Sequence, residues 1–563
     1  MKWISTLFLW TLVAVAGAQP GPHPYCGVDH AAAFSGAQAF VKARAEGRLP
    51  VARKTLSPPE IGDTRTFNVS EGNWEPRTFT LKDKTDAYYL WVENGELANG
   101  HVTDGEITAL RSSMFEQTPP ASFNPDAGIL ANDHAVFGTP PDYDGDGLVD
   151  ILFYDIGNAG TLGYVTVADI DPDAPPGVGN QADVLYLDAN EGTHDLTTLS
   201  AIAAHEYTHL IHFNYGFDKF TFISEGLAEY AIVMNGYFWR GIDYLNIASE
   251  YALPLFEWRD GGGPNTRDYQ RGGLFFTYIS TRVGALATGS MVRTPADRKG
   301  AAGLDDVLTA EGLSLAEIIA DFHLANYLND VDLDARYGYP MPERQGLHAP
   351  PSRVINGQFS FKSKKDTTDV QSGSVQYVAW ENVADFVLSA DAVGADVLLP
   401  ALRARLRMKV VLEAPDGTVT VESIEPGAAF RFFGGAFDRV TLVAAHVEPE
   451  VVITKVGYEA DWNSQATPVE AAETLPARVT LEPNYPNPFN PATTIVFNLP
   501  SAAPVRLSVY DALGRRVAVP VDGPLPAGRH TVVFDAGGLA GGLYLYRLET
   551  PGRTLARTMM LLK

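Results

Sequence analysis

The sequence predicts a multidomain chain in which an α+β domain is followed by two β-sandwiches. Three observations predict it. The chain runs to 563 residues, more than one hydrophobic core normally serves. Between residues 88 and 329, strand-like apolar runs come first and helix-period segments afterwards, the order of an α+β domain. From residue 346 onward the pattern is short alternating strands broken by glycine and proline turns, which reads as sandwich architecture.

Residues 1–18 read as a signal peptide, with Lys2 ahead of an apolar stretch over 4–15 and Ala16-Gly17-Ala18 as a small-residue cleavage site. That stretch is too short to cross a bilayer and none downstream is longer, so no membrane span is expected. Residues 19–84 hold a helical patch over 31–46 and then proline-rich, polar sequence; they are an N-terminal segment or a propeptide. In the α+β domain, expected over 85–345, strands are predicted at 88–92, 147–156, 162–167 and 183–187. A helix begins directly afterwards, and 272–282 and 315–327 are amphipathic. A β-sandwich is expected over 346–457, on the strand-like runs 375–380, 409–412, 440–445 and 451–456. Residues 458–478, rich in Ala, Thr, Glu and Pro, read as a linker, and 479–563 as a second sandwich.

Composition narrows the partners. Hydrophobic residues at 45% and charged residues at 20% describe ordinary folded protein. A net charge of -26 argues against nucleic acid or anionic membrane surfaces as partners. The single cysteine, Cys26, excludes an internal disulfide framework and a cysteine-built zinc site.

Residues 205–209 read His-Glu-Tyr-Thr-His. Histidines four apart project from one side of a helix, so His205 and His209 can grip one metal ion. Glu206 beside them can reach a metal-bound water as general base. The flanking residues suit a helix: Leu199, Ile202, Ala203 and Leu210 fall at helical spacing, and Asp195 is a plausible N-cap. Glu225 follows sixteen residues after His209, in Ser224-Glu-Gly-Leu-Ala-Glu-Tyr230, and would complete a His-His-Glu zinc site with one position left to water. Glu229, a turn later, can accept a hydrogen bond from a ligand histidine. His212 reads as structural, because one helix does not easily aim three rings at one tetrahedral centre.

These two strings, His205 to Asn214 and Ile223 to Tyr230, resemble the gluzincin zinc metallopeptidases, and more closely their hyicolysin-like branch. Ser224 stands where that branch commonly has asparagine. The resemblance implies a gluzincin-like α+β metallopeptidase domain that hydrolyses peptide bonds of extracellular proteins or peptides. It also implies a downstream oxyanion-stabilising donor. Tyr269, in Asp268-Tyr-Gln-Arg-Gly-Gly, is the candidate, with Tyr230 and Tyr237 as rivals. Two other readings stay open: a non-catalytic surface adhesin or binding module on a peptidase-like scaffold, and an esterase or other hydrolase on the same zinc site.

Asp142-Tyr-Asp-Gly-Asp-Gly-Leu-Val-Asp150 places Asp142, Asp144, Asp146 and Asp150 at positions 1, 3, 5 and 9 of a tight loop. Gly147 permits the turn, and the Leu148 carbonyl can add a ligand, so calcium is expected as a second cofactor. Position 12 is Phe153 rather than glutamate, so this is not a full EF-hand.

From residue 479 the chain is a run of short strands, with Val505, Leu507 and Val509 on one face. With its opening Asn484-Tyr-Pro-Asn-Pro-Phe-Asn-Pro491, it resembles the C-terminal sorting domain of type IX secretion cargo from Bacteroidetes-related bacteria. The resemblance implies an Ig-like sandwich, the type IX machinery as a partner, and export through the periplasm to the surface or beyond. A monomer is expected.

Overall fold

The computed structural model describes residues 25–26, 30–48, 58–70, 73–157, 161–189, 195–218, 220–237, 242–259, 266–344, 346–356, 362–449, 452–464, 479–482, 484, 487–525 and 528–562. The expected signal peptide and most of the expected linker lie outside them. The chain divides into two compact units, Met1–Ala349 and Pro350–Lys563.

The first unit is built on a seven-stranded mixed sheet. Its elements begin with β1 (Tyr25–Cys26), α1 (His30–Ala45), β2 (Thr64–Ser70), β3 (Trp74–Lys84) and β4 (Tyr88–Glu93). Three helices follow, α2 (Asn94–Asn99), α3 (Asp104–Arg111) and α4 (Ile129–Val136), and then β5 (Val149–Tyr154), β6 (Thr161–Tyr164) and β7 (Val184–Asp188). The strand order is β1-β6-β7-β5-β4-β3-β2. The central strands β4, β5 and β7 run parallel, and nearly every residue in them is buried. Their near-continuous apolar sequence, interrupted within β5 by Asp150, is what a strand covered on both faces requires.

Two expectations need correction. Helices do not all follow the strands: α2, α3 and α4 sit between β4 and β5. Nor does a domain boundary fall at residue 84. β2 and β3 pair with each other, and β3 pairs with β4, in the same sheet. Phe67, Val69, Phe79 and Leu81 pack in one core cluster with Trp91, Leu152 and Tyr186. These two strands at one end of the sheet leave alternate residues partly or fully exposed, which is why they read as polar sequence. α1 is equally integral. Ala33, Ala37, Phe40 and Ala43 are buried, and Arg44 donates to the Asn214 carbonyl at 3.0 Å.

The helical part continues with α5 (Leu196–Tyr215), α6 (Thr221–Met234), α7 (Ala248–Tyr251), α8 (Thr266–Ser290), α9 (Ala301–Ala310) and α10 (Leu315–Leu328). Asp195 caps α5 as expected, its side chain accepting from the Thr198 amide at 2.8 Å. α8 breaks at Gly284, where φ is 82°.

In the second unit, β8 (Arg353–Asn356), β9 (Lys362–Gln371), β10 (Val375–Ala392), α11 (Leu399–Ala404), β11 (Leu406–Glu413), β12 (Val419–Ile424), β13 (Ala429–His446) and β14 (Ile453–Ser464) form one sandwich-like domain. Its seven strands belong to a single sheet, with order β12-β11-β13-β10-β14-β9 and β8 beside β10. β14 carries the domain to Ser464, beyond the boundary expected at 457. The last domain comprises β15 (Thr480–Leu481), β16 (Ala492–Leu499), β17 (Ala503–Asp511), β18 (Arg516–Leu525), β19 (Gly528–Asp535), β20 (Gly542–Thr550) and β21 (Arg553–Leu561). They form a three-stranded and a four-stranded antiparallel sheet, with Phe497, Leu507, Val509 and Tyr546 in a shared core. This is the antiparallel sandwich the alternation predicts.

Candidate metal centre

α5 and α6 are buried along almost their whole length, which lets polar side chains meet away from solvent. His205 and His209, one turn apart on α5, bring their Nε2 atoms within 3.1 Å of each other. Glu225 on α6 faces both: one carboxylate oxygen lies 3.1 Å from His205 Nε2 and the other 3.3 Å from His209 Nε2. The three donors lie within 4.8 Å of one another, and all three residues are 0% exposed. On its other ring nitrogen, His205 Nδ1 meets Glu229 at 3.2 Å. The four residues therefore stand in the mutual positions their spacing predicts.

The electrostatics ask for a cation. Burial opposes charging His205, but hydrogen bonds to Glu225 and Glu229, together with their charges and that of Glu206, raise its pKa to about 10. A proton on His205 would offset the carboxylates in the absence of metal, and a divalent ion would take its place with higher charge. Two imidazoles and a carboxylate on two rigid helices are a donor set that fits zinc. His212 is not among the converging donors; it is buried against Phe217, and burial holds its pKa well below the usual histidine range.

α6 reaches this position through a glycine contact with α8. A Cβ on Gly226 would stand 2.6 Å from the Phe276 ring, and one on Gly273 would stand 2.9 Å from Glu229 Cβ. On the other side, a Cβ on Gly163 of β6 would stand 2.7 Å from Ile202 and 3.2 Å from Glu206 Cγ. The strand main chain thus rests directly against the helix at the candidate base.

The tyrosines separate. The Tyr269 ring lies 6.1 Å from the His205 ring and edge-on to Trp258 at 4.8 Å. With Glu229, Gln270 and Arg344 it lines a cavity beside the histidine–carboxylate pair. Tyr237 lines the same cavity, and its side chain bonds to Ser200. The Tyr230 hydroxyl is held by Ser280 at 2.7 Å.

One supporting cluster has no sequence signature. Asp133 of α4 is fully buried, and burial raises its pKa well above the carboxylate range. It accepts from Asn235 at 2.7 Å and from Thr208, inside the metal motif, at 3.4 Å. These bonds join α4, α5 and the end of α6 behind the metal donors.

The acidic loop is assembled in part. Asp142, Asp144 and Asp146 bring carboxylate oxygens within 4.8 Å of one another. The turn uses left-handed backbone at Asp142, Gly145 and Gly147, with φ of 51°, 75° and 78°. Leu148 closes it, its amide donating to Asp146 at 2.8 Å. Asp150 is not part of this group, contrary to expectation. It is the second residue of β5, and its carboxylate accepts from the Trp91 indole at 2.7 Å and from Arg65 at 3.2 Å. Asp183, which loop spacing could not reveal, accepts from the Asp142 and Tyr143 amides at 3.1 and 2.6 Å.

Comparison with known proteins adds a decisive observation at the C-terminus. Residues 484–561 match the model of the secretion system C-terminal sorting domain. The last domain is a secretion sorting domain. Its partner is the type IX secretion machinery, and the protein is exported to the cell surface or beyond it. No helix among the described residues is long and apolar enough to cross a membrane. No curated protein matches the chain. Among solved structures, dimeric latent PorU from Porphyromonas gingivalis aligns at 15% identity and a TM-score of 0.13, covering 38% of this chain and 19% of that one. Tripeptidyl Peptidase 2 aligns at 9% identity and a TM-score of 0.16, covering 38% of this chain and 31% of its own. A beta-1,2-glucanase from Parabacteroides distasonis aligns at 9% identity and a TM-score of 0.12, covering 37% and 38%. This chain thus spans well under half the length of each, and at such scores none bears on the metal centre.

Proposed function

We propose that the exported protein is a zinc-dependent metallopeptidase. The observation that carries the reading is the convergence of His205, His209 and Glu225 in a fully buried site, with Glu206 beside the first ligand. Bound zinc would supply a Lewis acid for the scissile carbonyl and lower the pKa of a water. The rest falls to the chain's own residues. Glu206 takes the proton from the attacking water and delivers it to the leaving amine. Glu229 holds the His205 ring in the tautomer that leaves Nε2 free to coordinate. Tyr269, whose ring lies 6.1 Å from that of His205, is the donor we assign to the developing oxyanion, the Tyr230 hydroxyl being held by Ser280. We further assign calcium to the loop of Asp142, Asp144 and Asp146, where it would relieve the repulsion of three converging carboxylates.

The test is zinc content and peptide hydrolysis by purified protein and its Glu206→Gln variant. One zinc per chain, with hydrolysis lost by several orders of magnitude in the variant while zinc remains bound, is the expected result. Near-normal turnover by the variant would refute the assignment of Glu206.

A further inference from the structure

The two ends of β10 come together at one tip of the middle domain. Just past β10, the Val393 amide donates to the Lys455 carbonyl at 2.8 Å, and Ile453, two residues before Lys455, pairs with Gln371. A tight turn joins Gln371 to Ser374, just ahead of β10, whose carbonyl accepts from the His446 amide at 2.9 Å. His446 in turn pairs with Leu406, where β11 begins. Residues 393–398 are all exposed at this tip. Val397 is 84% exposed, Ile453 61%, Leu398 54% and Val393 47%. Exposed aliphatics scattered singly are ordinary, but four gathered on one tip mark an interaction site. The charge changes sign here as well. Between residues 393 and 409 four basic residues stand against one acidic, in a chain of net charge -26. Arg403 is held by Asp391 at 2.8 Å. The Arg407 guanidinium donates to the Ala404 and Leu406 carbonyls at 3.2 and 2.9 Å, and neither it nor Arg405 meets a carboxylate among the described residues. Only α11, about 9 Å long, separates these two cations from the apolar tip.

We propose that this tip docks the exported protein on an anionic lipid surface. Val393, Val397, Leu398 and Ile453 enter the headgroup layer, and Arg405 and Arg407 meet the lipid phosphates. The chemistry favours lipid over a folded protein partner. Protein interfaces are anchored by aromatic and arginine side chains seated in pockets, whereas this tip protrudes, is purely aliphatic and is rimmed by cations. The sorting domain brings the chain to the outside of the cell, where such a surface is at hand. The overall charge of -26 repels an anionic bilayer, so the encounter is oriented, with this end leading. The proposal is independent of the metallopeptidase reading. It gives the middle domain the task of holding the chain at the membrane it has crossed.

The experiment measures co-sedimentation of the full chain with vesicles of mixed phosphatidylglycerol and phosphatidylcholine, and with vesicles of phosphatidylcholine alone. Calcium-free buffer keeps the acidic loop from bridging to lipid. Binding to the anionic vesicles is expected, and it should weaken as salt is raised. Val397→Asp with Leu398→Asp should lower that binding by at least about tenfold, because two aliphatic side chains no longer leave water. Arg405→Gln with Arg407→Gln should lower it by roughly tenfold on anionic vesicles and leave binding to neutral ones unchanged. Both pairs of positions are at the surface, and an unchanged melting temperature certifies that each variant is folded. Wild type that does not sediment with anionic vesicles would overturn the proposal. Vesicle binding that the aspartate pair leaves within about twofold of wild type would overturn it too. A concentration-dependent dimer that the aspartate pair abolishes, with no vesicle binding, would assign the tip to a second copy of this chain and overturn the lipid reading.

Discussion

Replacing Gly226 by alanine is expected to loosen the metal centre without touching a ligand. The new Cβ would stand 2.6 Å from the ring of Phe276, itself fully buried and unable to swing away. An ordinary carbon–carbon contact needs about 3.5 Å, so α6 and α8 must part by roughly 0.9 Å. Overpacking of this kind costs about 1–3 kcal/mol. The better helix propensity of alanine returns up to about 1 kcal/mol, so the steric cost wins. The displacement matters more than the energy, because Glu225 precedes Gly226 and moves with it. Metal–ligand distances tolerate only about 0.2 Å, so zinc affinity should fall by at least roughly tenfold. Chelator-competition titration reads the affinity, and thermal unfolding in chelator reads the packing cost separately. A variant with unchanged melting temperature in chelator and zinc affinity within about twofold of wild type would refute the helix-contact argument.

Glu229→Ala should weaken zinc by about 10–100-fold through loss of the bond to His205 Nδ1, roughly 1.4–2.7 kcal/mol, as the same titration would show. Asp169 gives a pH signature: burial raises its pKa to about 8, against the bonds from Tyr186 and Asn180. Because the folded value lies above the unfolded value of about 3.9, its contribution to stability is full below pH of about 4 and is lost as pH rises towards 8. Asp169→Asn should therefore lose less melting temperature than wild type between pH 5 and 8; parallel profiles would rule this out. Asp144→Ala with Asp146→Ala should lower the melting temperature in calcium but not in chelator, and an equal drop in both would remove calcium from the loop.

What was legible in the sequence was local. Histidines four apart, a carboxylate one helix later and an alternating C-terminal segment are short-range patterns, and the folded chain keeps them. What was hidden depends on partners distant in the chain. Asp150 fits calcium spacing, yet Trp91 and Arg65 claim its carboxylate. Asp183 supports the acidic loop from a strand junction about forty residues on. β2 and β3 alternate too weakly to announce a sheet, and only their pairing with β4 reveals it. The glycines of α6 and α8 stand inside the strings that carry the motifs, but their role in setting the distance between the two helices shows only in the fold.

The long strands of the middle domain have a consequence for how it comes apart. β10 and β13 span eighteen residues each and pair with one another along both halves of the sheet. Val378 and Trp380 from one half of β10 share a core with Phe386 and Leu388 from the other. Neither half can melt alone, because each would pull its strand out of the other. Denaturant should therefore unfold 350–464 in one cooperative transition, and a single protease nick within β10 should release the whole sheet. In the sorting domain each strand serves one sheet, so local opening there leaves the second sheet's pairing intact.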